Sequence, residues 1–210
     1  MFPLDLAPGT TIESLVTDVI PAVHARLAGS EGPDDTFTVA LRIAGCGSWT
    51  IRIRGREMRV DAGEAPRPTL WVYTTEATAR HFLQDAIGPK RLLPKIQLRT
   101  PQVGAVLTMS DPRVLKRVAM ANGRLELAIL DDDGRRLAIV FGFGHAARRP
   151  IDPEKPDTIA ETLIATAERV LRGERSPQDA LSNGEVTVRG SRLLAMQLAL
   201  AIAPFYPTTT

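Results

Sequence analysis

Apolar residues first recur at helical spacing between residues 11 and 29, where Ile12, Leu15, Val16, Val19, Ile20, Val23 and Leu27 fall on one stripe. Thr10 or Thr11 can cap the start, and Gly29 stands beyond the end. The pattern then changes to a period of two. TFTVALRI is followed by GCGSWTIRIRGREMRV, in which Trp49, Ile51 and Ile53 share one side and Thr50, Arg52 and Arg54 the other. This predicts paired antiparallel strands around a glycine turn. Residues 69–73 (TLWVY) predict a further strand, and TTEATARHFL a helix capped by Thr74 or Thr75.

The same order returns later in the chain, which points to an internal repeat. Pro21, Val23, Arg26 and Leu27 match Pro112, Val114, Arg117 and Val118 at an offset of 91 (112 minus 21). Val39-Ala40-Leu41 matches Leu127-Ala128-Ile129, and Trp49-Thr50-Ile51 matches Leu137-Ala138-Ile139, both at 88 (127 minus 39; 137 minus 49). Ala77, Thr78, Ala79 and Leu83 match Ala165, Thr166, Ala167 and Leu171 at the same offset (165 minus 77). Ile96 to Arg99 matches Val186 to Arg189 at 90 (186 minus 96). Two tandem units are expected, residues 10–105 and 106–207. Each would be an α+β unit: a helix, antiparallel strands, a helix, a short proline-started helix, a return strand and a last helix. That order suits an antiparallel sheet covered by helices. No Gly/Ser linker separates the units, so they are expected to share a packed interface.

In SPQDALSNGEVTVRG, residues 176–190, Pro177 starts a short helix, Asn183-Gly184 ends it, and Val186 and Val188 begin a strand with one buried face. GPKRLLPKIQLRT, residues 88–100, has the same form without the Asn-Gly exit. If only one unit holds a ligand, the second is the expected one.

Composition narrows the function classes. The 210 residues are 44% hydrophobic and 24% charged, as in an ordinary globular protein. The 26 basic and 24 acidic groups are interspersed, and aromatic residues make up 5%. Neither fits a polyanion-binding face or a base-stacking platform. No nucleic-acid partner is expected. With one cysteine, Cys46, and no signal-like start, the expected location is cytoplasmic. The most apolar stretch, 193–206, is too short to span a membrane.

The run Leu171-Arg172-Gly173-Glu174-Arg175-Ser176-Pro177-Gln178-Asp179-Ala180, then Gly184-Glu185-Val186-Thr187-Val188-Arg189-Gly190, then Leu194-Ala195-Met196-Gln197-Leu198, resembles the C-terminal half of the sterol carrier protein type-2 domain. GSWTIRIRG, residues 47–55, is similar to the early strand pair of that family. The sequence departs from it in three ways: the unit is doubled, the first copy has Asp85 and Thr100 where the second has Gly173 and Gly190, and residues 142–156 form a long insertion. The chain ends PFYPTTT and lacks the Ser-Lys-Leu peroxisomal address. The resemblance implies a layered α+β fold with a hydrophobic tunnel for a fatty acid, acyl-CoA, sterol or isoprenoid.

The last helix, SRLLAMQLALAIAPFY, is apolar on nearly every side. Such a helix is buried or touches something besides its own sheet. It could be wedged between the two units, line a lipid tunnel with Met196 as an adaptable wall, or form a dimer contact. The candidate apolar lining is Phe82, Leu171, Leu194, Met196, Leu198, Leu200 and Phe205. Arg148, Arg149 and Lys155 in the insertion are candidates to meet a polar head.

Catalytic signals are weak. His24, His81 and His145 have no metal spacing, and Cys46 has no paired histidine near it in sequence. Asp131-Asp132-Asp133-Gly134 lacks the later ligands of a calcium loop and reads as a hairpin turn. Gly142-Phe143-Gly144 does not open a helix, as a dinucleotide site requires. No cofactor, metal or enzymatic activity is expected. The expected function is a lipid-binding carrier. The alternative is a non-enzymatic scaffold or accessory subunit of a lipid-modifying or isoprenoid-quinone biosynthesis complex, with a partner enzyme. An enzyme on the same fold would need clustered acid-base groups at a pocket mouth.

Overall fold

A computed structural model describes residues 9–27, 36–87, 112–148, 155–171 and 173–202. The first helix, α1, comprises α-helical Ile12–Ser14, π-helical Leu15–Val19 and α-helical Ile20–Leu27. Of the two candidate caps it uses Thr11, whose hydroxyl accepts from the Ser14 amide at 3.0 Å. The π turn comes just before Pro21, which lacks an N–H and whose ring crowds the carbonyl four residues back in a regular α-helix.

Four strands follow: β1 (Phe37–Ala44), β2 (Gly47–Arg54), β3 (Glu57–Ala62) and β4 (Leu70–Thr75). The helix α2 (Glu76–Ile87) leaves β4 directly, with the Thr75 hydroxyl accepting from the Thr78 amide at 3.2 Å. The second half runs α3 (Pro112–Met120), β5 (Gly123–Leu130), β6 (Arg136–Phe143), a 3-10 turn (Ala146–Arg148), β7 (Thr158–Leu163), α4 (Ile164–Leu171), α5 (Pro177–Ser182), β8 (Val186–Gly190) and α6 (Arg192–Ile202).

All eight strands form one sheet in the order β3-β2-β1-β4-β6-β5-β7-β8. The fold is α+β with helices covering the sheet. Five neighbouring pairs are antiparallel, but β1/β4 and β5/β7 are parallel. The halves join where β4 pairs antiparallel with β6, from Leu70 opposite Phe143 to Thr74 opposite Ile139. The Thr74 hydroxyl donates across this join to the Ala138 carbonyl at 2.9 Å. The β4 strand therefore has β1 on one edge and β6 on the other. The expected return strand at 96–99 lies outside the described residues.

Side-chain alternation divides the two faces. Val39, Ile51, Ile53 and Leu70 pack with Val114, Leu115 and Val118 of α3 and with Leu194 and Ala195 of α6. Ile43 and Trp49 meet Ile12 and Val16 of α1 on the same face, and Ile129 and Leu137 meet Ile164 and Ala167 of α4. On the other face, Ala40, Trp71 and Val140 form a small cluster under Ala147 of the 3-10 turn. That face carries cross-strand ion pairs towards its ends: Arg52 and Arg59 with Asp61, and Arg136 with Glu126 and Glu161.

The expected inward side of β2 is observed, with Trp49, Ile51 and Ile53 buried and Arg52 and Arg54 exposed. Thr50, expected among the outward polar residues, is buried on the opposite face, where its hydroxyl donates to the Gly63 carbonyl at 2.7 Å.

The Pro177 helix forms as the sequence predicts. Ser176 caps it by accepting from the Asp179 amide at 3.0 Å, and Gly184 leaves it with φ of 73°. Replacing Ser176 by Ala removes this cap, with an expected loss of about 1 kcal/mol. Urea unfolding checks it as a lower midpoint at unchanged slope.

Candidate functional site

Three helices stand over the β5-β7-β8 end of the sheet, and their contacts leave a cavity of about 240 Å³. The floor is Leu125, Leu127 and Ile129 of β5, Ala160 and Thr162 of β7, and Val186 of β8. Thr166, Ala167 and Val170 of α4 form one wall, and Pro177, Ala180 and Leu181 of α5 another. Ala195, Leu198, Ala199 and Ile202 of α6 close it, at the i, i+3, i+4, i+7 spacing of one helix face. The cavity lies wholly in the second half.

Every lining residue is apolar except Thr162 and Thr166, and none is charged. The Thr162 hydroxyl is already engaged, donating to the Glu185 carbonyl at 2.9 Å. Small side chains make the space: Ala160, Ala167, Ala180, Ala195 and Ala199 reach less far than the Leu or Ile that would fill it. Leu127, Val170, Leu181, Val186, Leu198 and Ile202 are only half-buried, so the lining keeps apolar surface within reach of solvent. Near Pro177 and Val186, Glu185 is held by Arg175 and, at 3.4 Å, by Arg169. These charges neutralise each other beside the cavity rather than within its lining.

The candidate residues fall in different places. Leu198 lines the cavity. Leu194 is buried one turn away, with its Cδ2 only 2.9 Å from where a Cβ on Gly123 would lie. Met196 is half-buried and not part of the lining, and Leu200 is 45% exposed. The side chains of Phe82 and Leu171, and the whole of Phe205, lie outside the described residues. Of the candidate head-group cations, Arg148 ends the 3-10 turn whose Ala147 packs on the opposite face of the sheet. Lys155 is exposed ahead of β7, and Arg149 lies outside the described residues. The β5 floor and the α5 wall were not among the candidates. Their signal was the inward alternation of Leu125, Leu127 and Ile129, and the Ala180-Leu181 pair behind the Ser176 cap.

The groups considered for catalysis have structural surroundings. His24 is fully buried, with Nε2 3.3 Å from the Gly55 carbonyl oxygen. His145 is exposed, and its backbone amide donates to Asn122 Oδ1 at 3.0 Å. Desolvation, followed by the Glu76 carboxylate, pushes the Cys46 thiol above its ordinary pKa, against an opposing effect of Arg80. At neutral pH it therefore carries less thiolate, the nucleophilic form. Asp131 builds the expected hairpin turn, accepting from the Asp133 and Arg135 amides at 3.0 and 2.7 Å. Among the described residues no group of three His, Cys, Asp or Glu side chains could hold a metal ion. No described helix is long and apolar enough to cross a membrane.

No protein-family model and no curated protein matches the chain. Among solved structures it is similar to the apo form of sterol carrier protein 2 from Yarrowia lipolytica, with 13% identity, a TM-score of 0.33, and coverage of 43% of this chain and 73% of that one. It is similar to a sterol carrier protein 2-like protein of Aedes aegypti at 17% identity and a TM-score of 0.31, over 46% of this chain and 94% of that one. A conserved hypothetical protein of Thermus thermophilus, described as possibly a sterol carrier protein, matches at 18% identity and a TM-score of 0.34, over 59% of this chain and 94% of that one.

Proposed function

We propose that the chain is a non-enzymatic lipid-binding protein that holds one apolar chain, of a fatty acid, acyl-CoA, isoprenoid or sterol, in the cavity under α4, α5 and α6. The observation that carries this reading is the lining: uncharged, apolar but for two threonines, and half-buried at eight positions. Such a surface gains about 0.8 kcal/mol for each methylene transferred to it from water. Its volume of about 240 Å³ lies just below the ~300–1,000 Å³ common for small-molecule sites.

Two fused copies of one unit account for the architecture. Val39 pairs with Ile51 in β1/β2 and Leu127 with Ile139 in β5/β6, the same register 88 residues on (127 minus 39; 139 minus 51). A parallel strand then joins the first member of each hairpin, β4 beside β1 and β7 beside β5. The helices after them begin at Glu76 and Ile164, again 88 apart (164 minus 76). The free edge of β7 takes β8, whereas the corresponding edge of β4 takes β6 from the other copy. That exchange supports assigning the ligand to the second copy.

Displacement of a fluorescent fatty acid tests the reading. Unlabelled fatty acids, prenols or sterols are expected to compete at micromolar concentrations, corresponding to about 8 kcal/mol of binding. No bound probe and no competition by any of them would contradict it.

A further inference from the structure

The cavity accounts for only one face of α6. Around the rest of this helix, Leu194 and Ala201 pack into the core, while Leu193, Gln197 and Leu200 face outward, with Leu193 69% and Leu200 45% exposed. Positions 193, 197 and 200 are four and three residues apart, so they form one outward stripe. The helix α3 lies antiparallel beside it. Arg117, in the last turn of α3, donates to the Leu200 carbonyl at 3.3 Å, and Gly123, just past the C-terminal end of that helix, abuts Leu194. The last residue of α3, Met120, is 77% exposed.

The charged side chains carried by these two helices have one sign. Neither α3 nor α6 contains an acidic residue, and Lys116, Arg117 and Arg192 are exposed on them. Lys116 and Arg192 form no ion pair among the described residues. Elsewhere on the surface several arginines are matched by carboxylates, as in Arg52–Asp61, Arg80–Glu76 and Arg124–Asp157, although exposed Arg54 and Arg67 likewise form no ion pair among the described residues. Protruding leucine and methionine side chains bordered by unmatched cations fit an interface between hydrocarbon and anionic head groups.

We propose that the outer face of α6, with the adjoining end of α3, docks on an anionic lipid bilayer. Leu193, Leu200 and Met120 enter the head-group boundary, and Lys116, Arg117 and Arg192 meet lipid phosphates. The proposal stands on exposure and charge and does not depend on what fills the cavity.

Vesicle flotation of the full chain tests it. The chain is expected to float with vesicles of equimolar phosphatidylglycerol and phosphatidylcholine and to stay behind with pure phosphatidylcholine. The double variant Leu193→Ser, Leu200→Ser is expected to bind at least about tenfold more weakly, because two exposed hydrocarbon side chains lose their burial. Lys116→Gln and Arg192→Gln are each expected to weaken binding about fivefold, with a matching loss of salt dependence. All four positions are exposed, so circular dichroism melts and fatty-acid displacement are expected to match those of the unaltered chain. Three results would overturn the proposal: no flotation with either vesicle, equal flotation of the chain and its variants, or a solution dimer that the double leucine variant dissociates. The last would assign this face to a second copy of the chain. Failed fatty-acid displacement with intact flotation would count against the cavity reading alone.

Discussion

Replacing Ala199 by Phe is expected to weaken displacement-measured binding of any apolar ligand by at least about tenfold, or about 1.4 kcal/mol. Ala199 is 5% exposed and lies on the α6 face that closes the cavity, beside Ala195 and Leu198. A phenyl ring there projects into space that the ligand would occupy. In a filled core an added ring costs about 1–3 kcal/mol through overpacking. Here the cavity can accept it, so the expected change in stability is smaller than the change in binding. Thermal melting separates the two, with an unchanged melting temperature and lost binding as the expected pair. Unchanged affinity in a folded Ala199→Phe variant would place the ligand elsewhere.

Gly190→Ala is expected to produce the largest loss of stability among single glycine changes in the second half. This residue ends β8 with φ of 97°, a region L side chains rarely adopt. A Cβ there would lie 2.2 Å from the Asp157 carbonyl oxygen and 3.0 Å from the Thr158 Cα, so backbone must move. The same corner orders the entry to α6. The Ser191 amide donates to the buried Thr158 hydroxyl at 3.0 Å, and the Ser191 hydroxyl accepts from the Leu194 amide at 3.2 Å. Strain and displacement together are expected to cost about 3 kcal/mol. At roughly 2–4 °C per kcal/mol for a chain of this size, the melting temperature falls by about 10 °C. Gly134→Ala is the control, because Gly134 also has positive φ, 76°, but nothing lies within 4 Å of its Cβ position. It is expected to cost about 1 kcal/mol, from the dihedral alone. Equal effects of the two substitutions would mean that the contact with Asp157 is unimportant.

Local chemistry was legible in the sequence where neighbours along the chain decide the outcome. The alternation of Trp49, Ile51 and Ile53 identified the buried side of β2, and Pro177 with Asn183-Gly184 marked both ends of α5. The Asp131 turn was readable because its side chain bonds amides two and four residues ahead. The parallel pairings and the β4–β6 join were not readable. They depend on which distant strand occupies an edge, and alternation looks alike for either direction. The cavity was only partly legible, for a related reason. A void is made by what side chains do not fill, and Ala160, Ala167 and Ala180 have the sequence signature of ordinary core alanines. The large residues of the last helix carry the stronger sequence signal, yet Leu200 faces outward and Leu198 faces the cavity. Helical phase decides between them, and the apolar run around them hid that phase.

The two faces of α6 give its composition a physical cause. Ala195, Leu198, Ala199 and Ile202 wall the cavity, Leu194 and Ala201 hold the helix to the core, and Leu193 and Leu200 remain outside. Each side of the helix meets apolar surroundings under the two proposals, so it needs no broad polar face.

The most direct measurement is native mass spectrometry of the purified chain after incubation with a total lipid extract, run beside the Ala199→Phe variant. The account predicts a discrete lipid adduct on the unaltered chain, at one ligand per chain, and its loss from the variant. A chain that carries no adduct, or a variant that retains the same adduct, would contradict it.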